Sequence, residues 1–180
     1  MPAKKTAAKK KPSAPAAPAT PEARRPRMPK EYGIPADKKG MLSWDHITQR
    51  MTASKYYWLC TVTSGNRPWS NPVDGLWIDG RLYFGGSPQT RWNRNLLQNN
   101  EVSIHLESAS DVVIMYGAVS EGTGMGRAMA EKMVEGTKAK YGYAMPVELY
   151  EKGEGVQVFT PRRVVACTSF PKDVTRWDLG

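Results

Sequence analysis

Chemistry in this chain concentrates in one run, Phe84-Gly85-Gly86-Ser87-Pro88-Gln89-Thr90-Arg91-Trp92-Asn93-Arg94-Asn95-Leu96. Gly85 and Gly86 carry no side chain, so a ligand can come close to the backbone there. Ser87 and Thr90 offer hydroxyls, and the first amides of a helix starting near Thr90 have no carbonyl within that helix to bond. Arg91 and Arg94, three residues apart, fall on one side of the helix near its positive end. Hydroxyls, free amides and guanidiniums converging at a helix start form an anion site, most naturally for a phosphate. The competing reading is an ordinary capped helix with two solvated arginines, and the residue types alone favour neither.

Other reactive residues are sparse. His46 and His105 are the two histidines, and neither stands among the acid and nucleophile partners of a catalytic constellation, which predicts structural roles. Cys60 and Cys167 each fall inside an expected strand, the ordinary place for a small buried side chain. Two cysteines build no disulfide framework, and no Cys/His cluster has zinc spacing. Gly122-Thr123-Gly124-Met125-Gly126 has Arg127 where a dinucleotide fingerprint needs its last glycine, so it reads as a strand-to-helix turn. No catalytic residue is assigned. Asp74 and Tyr83 stand as candidate proton donors.

The frame that must position these residues is small. At 180 residues and 20.0 kDa, with 40% hydrophobic residues, the chain fits one domain with a real core. No apolar run reaches the roughly 18 residues of a membrane span, and no leader-like apolar stretch follows Met1, so a soluble cytosolic protein without membrane contact is expected. The formal charge of +9 belongs almost wholly to residues 1–30, which hold six Lys and three Arg against Glu22. That Lys/Ala/Pro-rich segment lacks the apolar content to repay ordering and is expected to be disordered. Its charge pattern allows weak nucleic-acid contact, or no more than solubility. Residues 31–180 form the expected domain.

Within it, Ser43 caps a helix with Trp44, Ile47 and Met51 on one face. Strands are expected at Tyr57–Thr63, at Trp69–Ile78 with an irregularity near Asn71-Pro72, and at Arg81–Phe84. Asp79-Gly80 is a two-residue hairpin turn. A short helix over Thr90–Gln98 is followed by strands at Glu101–Glu107 and Val112–Ser120. A helix follows between Gly126 and Tyr141, with Met129, Met133, Thr137 and Tyr141 four apart. Two further strands are expected at Val156–Thr160 and Val164–Ser169. This order predicts a mainly β fold, a small antiparallel barrel with peripheral helices.

From about Trp58 to Trp177 the chain resembles the pyridoxamine 5′-phosphate oxidase-like superfamily of flavin-binding split barrels. The resemblance rests on Asn71-Pro72-Val73-Asp74-Gly75-Leu76-Trp77-Ile78-Asp79-Gly80-Arg81-Leu82-Tyr83-Phe84, then Thr90–Leu96, Val102–Leu106 and Thr175-Arg176-Trp177. It implies a six-stranded antiparallel split β-barrel of the FMN-binding type, and a homodimer with the cofactor at the interface. FMN, or alternatively the deazaflavin coenzyme, would lie along the strand Asn71–Leu76, held largely through backbone groups at Asn71, Pro72, Val73 and Asp74. Gly85, Gly86, Ser87, Thr90, Arg91 and Arg94 would surround its phosphate, and Trp177 of the partner subunit would close over the ring. Trp92 stands where many members place a phosphate-binding lysine, exchanging a cation for a stacking surface. The substrate-holding Arg-x-His of true pyridoxamine phosphate oxidases is missing from Phe170–Gly180, so vitamin B6 oxidation is not predicted. The implied activity is a flavin- or deazaflavin-dependent oxidoreductase of unassigned substrate. The alternative is a non-catalytic barrel that binds or senses flavin or haem.

Overall fold

Alternation of apolar residues across consecutive strands closes the chain on itself. The computed structural model describes residues 20–180. Six antiparallel strands form a closed barrel: β2 (Tyr56–Val62), β3 (Pro68–Ile78), β4 (Arg81–Gly85), β5 (Glu101–His105), β6 (Val112–Glu121) and β7 (Val156–Cys167). Their order around the barrel is β7-β4-β3-β2-β5-β6, and pairing of β6 with β7 completes the ring. On β7 hangs β8 (Thr175–Asp178), and on β8 hangs β1 (Ala23–Arg24). Among the described residues four α-helices lie outside: α1 (Trp44–Ala53), α2 (Arg91–Leu96), α3 (Arg127–Tyr141) and α4 (Val147–Lys152). No described helix is long and apolar enough to cross a membrane.

Local signals account for most boundaries. Ser43 accepts from the His46 amide at 3.2 Å and starts α1. Asp79 and Gly80 both take positive φ, 49° and 78°, the backbone of a tight primed turn between β3 and β4. Val73, Trp77, Leu82, Phe84, Ile104, Met115 and Phe159 point into the barrel core. Residues of opposite parity, Leu76, Tyr83, Val156 and Val158, form a second apolar layer outside it, covered by Ala130 and Met133 of α3 and Tyr150 of α4.

Three expectations need correction. The register of β3 against β2 runs without a break through Asn71 and Pro72. Proline is tolerated there because β4 pairs with β3 only from Gly75 onward, so Pro72 has no ladder partner on that side to donate to. The two strands expected after α4 are one strand, β7, whose register shifts opposite Tyr116/Gly117. That bulge accommodates Pro161. Gly117 is required at the closure, since a Cβ there would come within 2.1 Å of the Thr160 carbonyl. Finally, order begins upstream of residue 31. Ala23 and Arg24 pair with Trp177 and Arg176. The Arg25 guanidinium donates to the carbonyls of Asp37, Lys39, Lys172 and Val174 at 2.8–3.1 Å. Ladder pairing and this four-carbonyl staple offset the entropy that composition alone could not. The disordered, nucleic-acid-touching tail expected over residues 1–30 lies, for residues 1–19, outside the described residues.

Candidate functional site

The outer layer between β3, β4 and α3 is not filled. It encloses a cavity of about 400 Å³ bordered by Asp74, Gly75 and Leu76 of β3 and by Tyr83, Phe84, Gly85 and Gly86. Met133, Thr137 and Tyr141 of α3 face it, with Tyr143 and Met145 of the following segment, Tyr150 of α4, and Gly155 and Val156. The sequence-predicted Asp74, Gly85 and Gly86 thus meet in one place, and the candidate Tyr83 joins them. Glycines leave stretches of bare backbone in the wall. Methionine and tyrosine side chains supply the rest, a lining suited to a flat ring.

Immediately after Gly86 the chain enters the predicted anion site. Ser87 Oγ accepts from the Gln89 amide, and Thr90 Oγ1 donates to the Ser87 carbonyl at 2.9 Å. Thr90 is the N-cap of α2, yet no side-chain hydrogen bond caps the helix. Orientation of α2 is set from its buried side. Trp92 packs on Phe84 at 5.5 Å, and Asn95 donates to the buried Thr61 hydroxyl of β2 at 2.9 Å. With positions 92, 93 and 95 inward, Arg91 and Arg94 are left outward and exposed. Among the described residues neither makes an ion pair with a carboxylate, whereas Arg91 lies 5.9 Å above the Trp69 ring of β3.

The remaining predicted residues are placed differently. Val73 is buried in the barrel core, so strand parity turns it away from the cavity. Asn71 is half-buried and Pro72 exposed, upstream of the cavity on β3. Trp92 is 6% exposed. It is a core anchor rather than a stacking surface, and Gly86 is small because a Cβ there would lie 2.7 Å from the Trp92 ring. Trp177 is fully buried and packs edge-on to Trp44 of its own chain at 5.6 Å. It has no face left to close over a ring in a partner subunit. His46 meets Asp111, distant in sequence, at 3.0 Å in the fold, and Arg50 reaches the other oxygen of the same carboxylate at 2.9 Å. This is a tie between α1 and the start of β6, away from the cavity.

Sequence reasoning missed the hydrogen-bonded wall behind the cavity. At Gly75 the pairing of β2 with β3 has ended, and α3 substitutes for the missing strand. The Tyr141 hydroxyl accepts from the Gly75 amide at 2.8 Å and donates to the Lys55 carbonyl at 2.6 Å. Lys140 Nζ donates to the Gly75 carbonyl at 3.0 Å and to the Tyr57 hydroxyl at 2.9 Å, and Tyr57 in turn donates to the Met51 carbonyl. Burial pulls the Lys140 ammonium down to about 8, partly opposed by Asp74, and burial holds the Tyr57 phenol well above its ordinary range. At the cavity mouth the Tyr143 hydroxyl donates to Asp74 Oδ2, and that bond pushes the Tyr143 phenol up to about 12. A signal for this wall existed: the four-residue spacing of Met133, Thr137 and Tyr141 marks the α3 face that lines the cavity.

No protein-family model and no curated protein matches the sequence. Solved structures do match. General stress protein 26 from Bacillus anthracis is 15% identical, with a TM-score of 0.55 over 75% of this chain and 97% of that one. A NimC/NimA family protein from Clostridium acetobutylicum is 17% identical, with a TM-score of 0.55 over 78% and 93%. A protein related to general stress protein 26, of the pyridoxinephosphate oxidase family and also from Clostridium acetobutylicum, is 14% identical, with a TM-score of 0.51 over 74% and 94%. These likenesses span nearly the whole length of each relative and agree with the closed six-stranded barrel. The chain shares the closed six-stranded split-barrel fold of these solved structures.

Proposed function

We propose that this chain is a flavin- or deazaflavin-binding oxidoreductase, with FMN or the deazaflavin coenzyme lying along β3, its ring in the cavity and its phosphate at Ser87–Arg94. The observation that carries this reading is continuity. Gly85 and Gly86 border the cavity and lead directly into Ser87, the uncapped start of α2, and two guanidiniums with no carboxylate partner among the described residues. One elongated ligand with a flat apolar end and an anionic end fits both halves. A cavity of about 400 Å³ lies in the usual range for small-molecule and cofactor sites. The lining is apolar and aromatic, with few polar groups.

When bound, the flavin supplies the hydride chemistry. The protein's own contributions follow from the geometry. Arg91 and Arg94, with the Ser87 and Thr90 hydroxyls, hold the phosphate; the Gly75 peptide, fixed by Lys140 and Tyr141, holds the ring wall. Met133, Met145 and Tyr150 keep water from that end. The Tyr143 hydroxyl holds a proton at the cavity mouth, bonded to Asp74, and takes over the donor role that the sequence suggested for Asp74 itself.

We further propose that two copies associate. The outer faces of β2 and β6 expose Tyr56 (62%), Trp58 and Tyr116, and Trp69 is exposed near the start of β3, aromatic surface of the kind that protein contacts cover. Absorption spectra of the purified protein during titration with FMN, the deazaflavin coenzyme and haem test the cofactor reading, with light scattering for the dimer. A saturable change with one flavin, followed by reoxidation with a quinone or dye after reduction, supports an oxidoreductase. A flavin that binds and never cycles leaves a carrier, and no flavin binding refutes the reading.

A further inference from the structure

Among the described residues that line the cavity, Asp74 is the one side chain with a formal charge. Its carboxylate offers two oxygens and about four acceptor positions. Tyr143 occupies Oδ2, and no described residue donates to Oδ1. Tyr143 sits on the segment between Gly142, at φ 81°, and Pro146, which starts α4. It is 54% exposed, so its hold on Asp74 competes with water and with anything entering the mouth. Lys140, the nearest cation from α3, does not line the cavity. Its ammonium is bonded to the Gly75 carbonyl and Tyr57 and lies over the Tyr57 and Tyr141 rings at 5.0 and 5.6 Å.

We propose that Asp74 decides which flat molecules this cavity admits: its carboxylate accepts from the N–H or amino edge of an aromatic ring system, displacing Tyr143, and turns away rings with an anionic edge. The inference rests on the reading that the cavity receives a flat ring, and it adds a specificity that the fold does not supply. Bare backbone at Gly75, Gly85 and Gly155 receives the ring. Tyr141, Tyr143 and Met133 contact it without distinguishing one edge from another, since stacking and sulfur contacts are tolerant of substituents. Discrimination therefore falls to the single charged group. A donor edge gains a charge-assisted hydrogen bond, and a carboxylate edge meets like charge in a partly desolvated site.

The test is fluorescence titration of the full chain with 9-aminoacridine and with acridine-9-carboxylate, two probes of one shape. The amino probe is expected to bind at least about ten-fold tighter, the worth of one hydrogen bond to a charged group. Asp74→Asn should bring that ratio to about two-fold or less. Tyr143→Phe, which keeps the ring and removes the competing donor, should bind the amino probe tighter than the parent does. Equal affinity of the parent for both probes, binding of neither, or an unchanged ratio in Asp74→Asn overturns the proposal. FMN and the deazaflavin coenzyme are titrated in parallel. Probe preference without flavin uptake leaves Asp74 its role and removes the flavin reading; flavin uptake without probe preference does the reverse.

Discussion

Replacing Arg91 by Ala separates a phosphate site from a solvated helix start. The structure gives the guanidinium no carboxylate or hydrogen-bond partner among the described residues and places it 5.9 Å from the Trp69 ring, so its donors are available to a ligand. A hydrogen bond to a charged group contributes about 1.5–3 kcal/mol, or roughly 10- to 150-fold in affinity. Arg91 is exposed, and screening by water and salt places the expectation at the lower end, about ten-fold for FMN. Riboflavin, with the same ring and no phosphate, should bind parent and variant alike within about two-fold. Isothermal titration of both ligands at about 0.05 and 0.3 M salt supplies a second criterion, because the Arg91 contribution should shrink at the higher salt. Equal weakening of FMN and riboflavin would mean that Arg91 supports the fold rather than the phosphate. No weakening of either would falsify the placement of the anion site.

Two further outcomes follow from the packing. Trp177→Ala removes a fully buried indole packed on Trp44 and should cost about 3–5 kcal/mol in urea denaturation; a stability within about 1 kcal/mol of the parent, with flavin affinity lost instead, would restore the ligand-facing role. The Lys140 ammonium is lowered to about 8 in the fold, so between about pH 8 and the ordinary lysine range near 10.5 the unfolded chain binds more protons and stability rises with pH. Tyr57 and Tyr141 of the same cluster are raised, so their contribution is present below pH 10 and is lost above it. Stability should therefore climb from pH 8 to about 10 and then fall, and Lys140→Met, judged by urea midpoints across that range, should flatten the climb while leaving the tyrosine-driven fall.

Much of the architecture is written locally. Asp79-Gly80 needs nothing beyond its own backbone preference to make the turn, and Ser43 caps α1 with an atom three residues from the amide it satisfies. The alternation of Val102, Ile104 and Leu106 already shows which face of β5 is buried. The candidate anion site from Gly85 to Arg94 is likewise a local feature, since its two glycines, two hydroxyls and two arginines at a helix start lie on one short stretch of contiguous chain. What failed were residues whose role depends on distant partners. Whether Pro72 breaks a strand depends on where β4 stops, Trp177 faces a ligand or the core according to where Trp44 lies, and Ala23–Arg25 are ordered only because β8 and four carbonyls from elsewhere receive them. The cavity belongs to the same class. Its far wall comes from Thr137, Tyr141 and Tyr143, more than sixty residues beyond Asp74 and Gly75, and it exists because α3 stands in for strand β2 where that strand ends. Short-range hydrogen-bonding and hydrophobic periodicity are properties of neighbouring residues and can be read in order along the chain. Closure of the barrel and the gap beside it arise when segments remote in sequence meet, and only the folded chain decides which of them do.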